Sequence, residues 1–242
     1  MYISGASRGI GWQIAQFMAS KGVNLILHAQ SDSTLLKVQQ DLDRYEVEVL
    51  THSADFGSIS DVEDHCHWLE NEVPQLSLAY ANAGIAPPTS IGGFDSGSIE
   101  GWLRVLQVNL VSHWAIIRSI ARNIVTVADA RIFFTGSALA KEPDSQAYAC
   151  SKAALSKLVG DLALVDRSDL PALCILDPGW VETDMGGANA HYPVDTLMPG
   201  MVFPAFTDRD CNGGWIAAQD YRGLTLEEAI DRAIVVGDLN PA

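Results

Sequence analysis

The chain has 242 residues, of which 48% are hydrophobic, and its formal net charge at pH 7 is −15. This apolar fraction is enough for one sizeable core, so we expect a single domain over residues 1–242. The negative charge argues against binding to nucleic acid or to an anionic membrane surface.

Targeting and redox features are also read from the chain. No apolar run approaches the ~20 residues of a membrane-spanning helix. The first predicted strand leaves no room for a signal peptide, so we expect a cytoplasmic protein. The four cysteines have no paired spacing and predict neither a disulfide nor a zinc site. His65-Cys66-His67 point in three directions on a predicted helix, so no metal is expected.

Strand and helix patterns alternate along the chain. The predicted strands cover residues 1–4, 23–29, 47–52, 76–81, 131–136, 172–177 and 214–218. The first predicted helix begins near Ile10, and the others cover residues 33–45, 59–73, 98–123, 146–166 and 226–233. The alternation predicts an α/β fold, a Rossmann-type doubly wound parallel sheet with helices on both faces. Ligands bind such folds at the carboxyl ends of the strands.

A glycine-rich turn follows the first strand. Residues 4–11 read Ser-Gly-Ala-Ser-Arg-Gly-Ile-Gly, and an apolar-periodic helix starts there. Glycines allow a tight turn and close approach of the backbone to a pyrophosphate, and a helix N-terminus attracts the anion. The strand, turn and helix therefore predict a dinucleotide site.

Tyr148 and Lys152 lie four residues apart, on one face of a predicted helix. An ammonium group held there stabilises a phenolate, so we expect the tyrosine pKa to fall from ~10 toward neutrality. A tyrosine of this kind exchanges a proton with a carbonyl oxygen or an alcohol.

Further segments complete a pattern. Asp55-Phe56 and the run Ala81-Asn82-Ala83-Gly84 each follow an apolar strand, and Asn109 lies in the long helix 98–123. Ser137 ends a strand eleven residues before Tyr148, and residues 178–183 read Pro-Gly-Trp-Val-Glu-Thr. Together with the glycine turn and Tyr148-x-x-x-Lys152, these motifs resemble the short-chain dehydrogenase/reductase superfamily over roughly residues 1–185.

The resemblance implies roles for four side chains. Tyr148 would be the general acid/base, and Lys152 would lower its pKa and bind the nicotinamide ribose. Ser137 would orient the substrate oxygen. Asn109 would hold a water that links Lys152 to bulk proton exchange.

The resemblance also implies a nicotinamide dinucleotide cofactor. The pyrophosphate would lie on the glycine turn, and the adenine, the adenosine ribose and the nicotinamide on the later motifs. The implied residues are Gly5, Ser7, Gly9, Ile10 and Gly11 for the pyrophosphate; Asp55 and Phe56 for the adenine; Asn82 and Gly84 for the adenosine ribose; and Pro178, Gly179, Val181 and Thr183 for the nicotinamide. Tyr148 and Lys152 also belong to the implied cofactor site.

The end of the second strand indicates which cofactor is preferred. An acid there would accept from the ribose 2′-hydroxyl of NAD, but this position is Ala29 and the first acid is Asp32. Arg8 occupies the position where similar NADP-dependent proteins carry a basic residue, and Gln30 and Ser31 would donate to the same phosphate. The prediction is NADP(H) in preference to NAD(H).

Residues from about 184 to 212 are predicted to form a substrate lid, since glycines permit motion and methionines adapt to irregular shapes. The alternative is that Val194–Phe206 is a short helix whose apolar residues belong to the core. The predicted substrate pocket consists of Leu139, Trp180, Met185 and Tyr192.

The resemblance implies a homodimer through helices 98–123 and 146–166, or a homotetramer. The Asp-Gly-Gly ending of many tetrameric relatives is absent, which weakens the second possibility.

The predicted function is an NAD(P)(H)-dependent oxidoreductase that interconverts a small-molecule carbonyl compound and its alcohol. A non-redox enzyme of the epimerase type and a non-catalytic nucleotide-sensing protein on the same scaffold are the alternatives.

Overall fold

The computed structural model describes residues 1–86, 97–124, 130–138, 146–165 and 171–240. The first half of the chain alternates short strands with helices. Its elements are β1 (Tyr2–Ile3), α1 (Gly9–Ser20), β2 (Leu25–Ala29), α2 (Asp32–Leu42), β3 (Val49–Ser53), α3 (Ile59–Asn71) and β4 (Leu78–Ala81).

The second half continues this alternation and adds a small second sheet. Its elements are α4 (Ile99–Leu106), a π-helical turn (Gln107–Val111), α5 (Ser112–Ile124), β5 (Arg131–Thr135), α6 (Gln146–Leu162), β6 (Ala172–Asp177), β7 (Val181–Glu182), β8 (Tyr192–Pro193), β9 (Trp215–Ala217) and α7 (Leu226–Val236).

Seven strands form one parallel sheet in the order β3-β2-β1-β4-β5-β6-β9. Strands β2, β5 and β6 are buried at every position, as expected for central parallel strands covered on both faces. One core cluster lies on each side of the sheet. The predicted doubly wound α/β fold is confirmed, and its carboxyl edge collects the ends of all the motif-bearing strands.

The predicted continuous helix 98–123 is interrupted. Residues Gln107–Val111 form a π-helical turn between α4 and α5, with Asn109 in its middle. Such turns insert an extra residue and occur frequently at functional sites. Hydrophobic periodicity cannot reveal this interruption, because the apolar face continues on both sides of it.

Part of the predicted lid belongs to the core. Leu197, Met201, Val202 and Phe203 are fully buried, as the alternative interpretation of this segment predicted. They do not form one helix, however. Two 3-10 turns, Val194–Leu197 and Phe203–Phe206, flank Pro199-Gly200, and proline cannot continue a helix.

The C-terminal helix α7 begins at Leu226 with Thr225 as its N-cap, as predicted. The Thr225 hydroxyl accepts from the Glu228 backbone amide, and the Glu228 carboxylate accepts from the Thr225 amide. This capping box satisfies two amides that the first helical turn would leave free. No helix in the described ranges is long and apolar enough to cross a membrane.

Candidate active site

The glycine turn forms a cradle at the end of β1. Gly9 has φ +55°, and a Cβ atom at Gly11 would lie 2.3 Å from the Gly5 carbonyl oxygen and 2.6 Å from Asn82 Nδ2. Asn82 Nδ2 donates to the carbonyls of Ser4 and Gly5 at 3.1 and 3.2 Å. The turn therefore touches the β4 end so closely that Gly11 has no room for a side chain.

Helix α1 starts inside this turn at Gly9. The N-cap residue Arg8 makes no side-chain cap, and the first turn of the helix contains no acidic residue. The first amides of α1 and its positive dipole end are thus available to an anion. Ser7 and Ile10, also predicted for the pyrophosphate, are half-buried beside them.

Arg8 reaches toward the segment that follows β6. Its Nε lies 3.4 Å from Asp184 Oδ2, and both side chains are more than three-quarters exposed. A Cβ atom at Gly9 would lie 3.4 Å from Thr183 Cγ2. The structure therefore brings the glycine turn and the Pro178–Thr183 segment together, as their predicted shared role requires.

The residues predicted for the adenine follow β3, and the two polar residues predicted for the 2′-phosphate follow β2. This part of the site is the adenosine end. Asp55 accepts from the Gly57 amide at 2.9 Å, and Arg104 Nη2 lies 3.0–3.1 Å from both carboxylate oxygens. Gln30 also donates to this carboxylate. Burial raises the pKa of Asp55, but these hydrogen bonds outweigh burial and hold it below its usual range. Arg104 has no sequence signal beyond being a basic residue five positions before Asn109.

Ser31 and Phe56 complete the adenosine end. The Ser31 hydroxyl lies 3.2 Å from the hydroxyls of Ser33 and Thr34, so it is engaged within its own turn. The Phe56 ring is 3% exposed and stacks on His28, with centroids 3.7 Å apart and planes 9° apart.

His28 joins two parts of the site, and no sequence motif marked it. Its Nδ1 accepts from the Gly5 amide at 3.3 Å, and its Nε2 lies 3.0 Å from the Ala54 carbonyl oxygen. A carbonyl only accepts, so Nε2 carries the proton and the ring is neutral. Burial lowers the pKa of His28 to about 4, consistent with that form. His28 thereby fixes the glycine turn relative to the end of β3.

His65, from the His65-Cys66-His67 triplet, lies behind His28. Its Nε2 is 2.9 Å from the Tyr2 hydroxyl, and its Nδ1 is 2.8 Å from His52 Nδ1. Both ring nitrogens are thus used inside the protein. Among the described residues no group of three or more His, Cys, Asp or Glu side chains is arranged to hold a metal ion.

Lys152 is buried beneath the predicted acid/base. It is 2% exposed, its Nζ donates to the Thr135 carbonyl at 2.8 Å, and it lies 5.8 Å from the centroid of the Tyr148 ring. Burial lowers its pKa to about 8, although the nearby Asp177 opposes this shift.

Tyr148 hydrogen-bonds Ser137, as the predicted pairing of acid/base and orienting hydroxyl requires. Burial and the charge of Asp177 raise the Tyr148 pKa to about 12, while the Ser137 bond opposes them. The expectation that Lys152 brings the pKa of Tyr148 down toward neutrality is therefore wrong. The helical spacing to Lys152 was visible in the sequence, but the cost of burying a phenolate was not.

Asn109 closes the other side of the cluster. Its Oδ1 accepts from the Ile85 amide at 2.9 Å, and its Nδ2 donates to the Ile85 carbonyl and to Ser151 Oγ. Ser151 in turn donates to the Tyr148 carbonyl at 2.7 Å. The π-helical turn thus connects directly to helix α6.

Gly84 separates Asn109 from Lys152. A Cβ atom there would lie 3.4 Å from Asn109 Oδ1 and 3.7 Å from Lys152 Nζ. The space beside Gly84 therefore lies between two of the predicted catalytic side chains, and a side chain at position 84 would occupy it.

His113 lies one turn after Asn109 and was not predicted. Its Nε2 donates to the Ala83 carbonyl at 2.8 Å, which leaves Nδ1 as a buried acceptor that has no partner among the described residues. Burial and the positive charge of Lys152 lower the pKa of His113 to about 3. The ring is thus neutral and adds no positive charge beside Lys152.

The Pro178–Thr183 segment follows β6. Gln219 Nε2 donates to the Pro178 carbonyl at 3.0 Å, and Asp177 Oδ1 accepts from the Gly179 amide at 3.0 Å. Val181 pairs with Tyr192 in the small parallel sheet β7–β8. The segment is therefore held from both sides.

The structure describes three of the four predicted pocket residues. Trp180, 48% exposed, contacts the ring of His191 at 4.8 Å, and Tyr192 lies next to His191 and beneath Arg222. Met185 is 49% exposed on the surface of the same segment. Leu139 lies outside the described residues.

Comparison with known proteins gives the family whose motifs the chain resembles. The family model of the short chain dehydrogenases matches residues 1–192. The chain is 30% identical to a benzil reductase, (S)-benzoin forming, of Saccharomyces cerevisiae over 193 residues, covering 76% of this chain and 72% of that protein.

Solved structures share the fold. A short chain dehydrogenase from Burkholderia cenocepacia J2315 in complex with NADP is 25% identical, with a TM-score of 0.69 over 97% of this chain and 89% of that one. An NAD⁺-bound xylitol dehydrogenase is 21% identical, with a TM-score of 0.67 over 74% and 69% of the two chains. This chain belongs to the short-chain dehydrogenase/reductase family of oxidoreductases.

Proposed function

We propose that the protein is an NADP(H)-dependent oxidoreductase that interconverts a carbonyl compound and an alcohol, with Tyr148 as general acid/base. One observation carries the proposal. Tyr148 bonds Ser137 and lies beside Lys152, and Gly84 separates Lys152 from Asn109, at the sheet edge where the glycine turn also lies.

The residues present suit a nicotinamide dinucleotide. The cradle at Gly9 and Gly11 excludes a side chain and presents the first amides of α1, which are donors for a pyrophosphate. When bound, such a cofactor supplies or accepts the hydride.

The protein supplies the proton and the alignment. Tyr148, with its pKa raised to about 12, is protonated at neutral pH and can donate to the oxygen of a carbonyl undergoing reduction. Ser137, already bonded to Tyr148, would hold the same oxygen. Lys152 would keep the phenol oriented and favour its ionised form when the proton leaves.

The residues at the end of β2 support NADP(H) as the cofactor. Ala29 offers no carboxylate that would repel a 2′-phosphate, and Arg8 is exposed. Its ion pair with Asp184 is a surface pair, worth ~0–1 kcal/mol, so a phosphate dianion can replace that partner. Gln30 is already bonded to Asp55, so Arg8 is the main candidate for binding the 2′-phosphate. One similar solved structure holds NADP and another holds NAD⁺, so the assignment of NADP(H) rests on Ala29 and Arg8 and not on the comparisons.

Arg8→Ala tests the cofactor assignment. We expect its Kd for NADPH to rise about tenfold or more, since a charge-assisted contact to phosphate is lost, while its Kd for NADH changes little. Lys21→Ala, which removes an exposed cation at the other end of α1, is the matched control. Equal losses for both cofactors would contradict a role in binding the 2′-phosphate.

The activity test is oxidation of NADPH, and separately of NADH, with a panel of ketones, aldehydes, quinones and 3-oxoacyl thioesters. The panel includes benzil because a relative is a benzil reductase. Turnover that disappears in Tyr148→Phe, while the Kd for NADPH is unchanged, supports the proposal. Turnover that persists in Tyr148→Phe contradicts the mechanism.

The remaining outcomes separate the alternatives. Tight NADPH binding without consumption of any panel compound would favour a nucleotide-sensing protein. Interconversion of stereoisomers without net oxidation would favour an epimerase.

We also propose a homodimer through α5 and α6. A shallow groove of about 350 Å³ on this face is lined mainly by Leu110, Val111, Trp114 and Leu158. Trp114 is 46% exposed and Val111 42% exposed, so together they form an apolar patch of the kind that marks a protein interface. Light scattering should give twice the mass of the 26.1 kDa chain, and Trp114→Glu should convert it to monomer. A tetramer mass, or a dimer unaffected by Trp114→Glu, would argue against this interface.

A further inference from the structure

Asp177 is a buried carboxylate at the carboxyl end of β6, and its sequence position gives it no role beyond ending the strand. It is 7% exposed, and its Oδ1 accepts from the Gly179 amide at 3.0 Å. It also accepts from the backbone amide of Ala138. One carboxylate therefore ties the residue after Ser137 to the Pro178–Gly179 segment.

The register of the sheet places Asp177 next to the catalytic cluster. Thr135 pairs with Leu176, and the Gly136 amide donates to the Leu176 carbonyl at 2.9 Å. Asp177 is the next residue along β6, so it lies beside the strand end that leads to Ser137. Lys152 donates to the Thr135 carbonyl, one residue back on β5.

Within the part of the chain that the structure describes, few charged or titratable groups interact with Asp177. From α6, Tyr148 and Lys152 interact with it electrostatically. On its other side β9 carries no titratable side chain from Trp215 to Ala217. From α5, His113 interacts with Lys152 and is neutral. The carboxylate therefore acts mainly on the Tyr148–Lys152 pair.

We propose, building on the function proposed above, that Asp177 is a positioning residue of this active site. Its hydrogen bonds hold the Ser137 and Gly179 segments in register, and its charge favours the protonated phenol of Tyr148 and the ammonium form of Lys152.

The direction of the electrostatic effect follows from the sign of the charge. A carboxylate raises the pKa of both Tyr148 and Lys152. Burial raises the pKa of Asp177 itself, while its two amide donors and Lys152 oppose that shift. Removing the charge without removing the acceptor should therefore let Tyr148 ionise at lower pH.

The test uses NMR of protein carrying ¹³C at the tyrosine ring carbon that bears the hydroxyl. Tyr148→Phe assigns the Tyr148 signal, and the phenolate fraction is followed from pH 8 to the alkaline limit of the folded protein. No substrate is needed, so the result does not depend on whether the proposed reaction is found.

In Asp177→Asn we expect the Tyr148 titration to move down by roughly one pH unit, a tenfold larger ratio of phenolate to phenol at a given pH. Asp177→Glu keeps the charge and should titrate like the native protein. Asp161→Asn removes an exposed carboxylate from the far end of α6 and should have no effect.

Asp177→Ser, which also removes the charge and keeps an acceptor, is the second variant if Asp177→Asn does not fold. An unchanged Tyr148 titration in a folded charge-removing variant overturns the proposal. So does failure of both charge-removing variants to fold, since Asp177 would then be needed for the fold alone.

Discussion

Gly84 offers a substitution that should damage the reaction while sparing the fold. In Gly84→Ala the new methyl group would lie 3.4 Å from Asn109 Oδ1 and 3.7 Å from Lys152 Nζ. These are ordinary van der Waals contacts, so no backbone needs to move. We expect the free energy of unfolding to change by less than ~1 kcal/mol, the usual range for a compatible glycine-to-alanine change.

The same methyl group occupies the space between two predicted catalytic side chains. A hydrogen-bonding ligand or water placed there must come within ~3 Å of their polar atoms, which the methyl group prevents. Displacement of a reacting group by ~1 Å can cost 10²-fold in rate, so we expect kcat/KM to fall by roughly 10–100-fold.

The assay measures consumption of NADPH with whichever panel compound the native enzyme reduces, beside thermal unfolding of each variant. Gly160→Ala is the matched control, because Gly160 lies inside α6 with no atom within 4 Å of the added Cβ. That variant should gain up to ~1 kcal/mol in stability and keep full activity. Native kcat/KM in Gly84→Ala would refute the idea that this space is part of the site.

Three further results are expected. Gly11→Ala should abolish NADPH binding by calorimetry, because its Cβ would come within 2.3 Å of the Gly5 carbonyl oxygen; binding at native affinity would contradict the cradle. His28→Leu should raise the Kd for NADPH about fivefold without changing the KM of the carbonyl substrate, because the glycine turn loses a hydrogen bond worth ~1 kcal/mol; an equal rise in both constants would contradict this. Burial lowers the pKa values of His28, His65 and His113 from the usual 6.5 to about 4, about 2 and about 3. Above pH 6.5 these histidines are neutral in both the folded and the unfolded chain, and the fold keeps its full stability. As the pH falls toward 4, only the unfolded chain binds the three protons, so the free energy of unfolding should fall by up to ~4 kcal/mol per pH unit. Urea unfolding with a stability independent of pH between 6 and 4 would contradict it.

The fold was predictable because the hydrophobic pattern and the motifs agree. Each motif follows an apolar strand, and the carboxyl ends of parallel strands meet at one edge of the sheet. Residues as distant in sequence as Gly11 and Asn82 were thus expected close together. The Asn82 side chain lies so near Gly11 that a Cβ atom there would be 2.6 Å from Asn82 Nδ2. The hydrogen bond between Ser137 and Tyr148 agrees with the roles that the family resemblance implied for them.

The parts that sequence could not provide depend on burial and on tertiary contacts. The pKa of Tyr148 depends on how deeply the ring lies and on Asp177, which is 29 positions away. His28 on β2 bonds the turn after β1 and the residue after β3, and Arg104 on α4 bonds Asp55. These roles arise only from the way the four elements pack together. The segment after β6 follows no periodic pattern, and its core residues are recognised only from their burial.

Transfer of deuterium from the reduced cofactor tests the proposed function most directly. NADPH carrying deuterium at both hydrogen positions of nicotinamide C4 is incubated with the enzyme and a reducible panel compound, and the product is examined by mass spectrometry and NMR. We predict one deuterium on the carbinol carbon, with no product in Tyr148→Phe, which should still bind the cofactor. A product without deuterium at that carbon, or equal product from Tyr148→Phe, would contradict a carbonyl reduction in which Tyr148 supplies the proton.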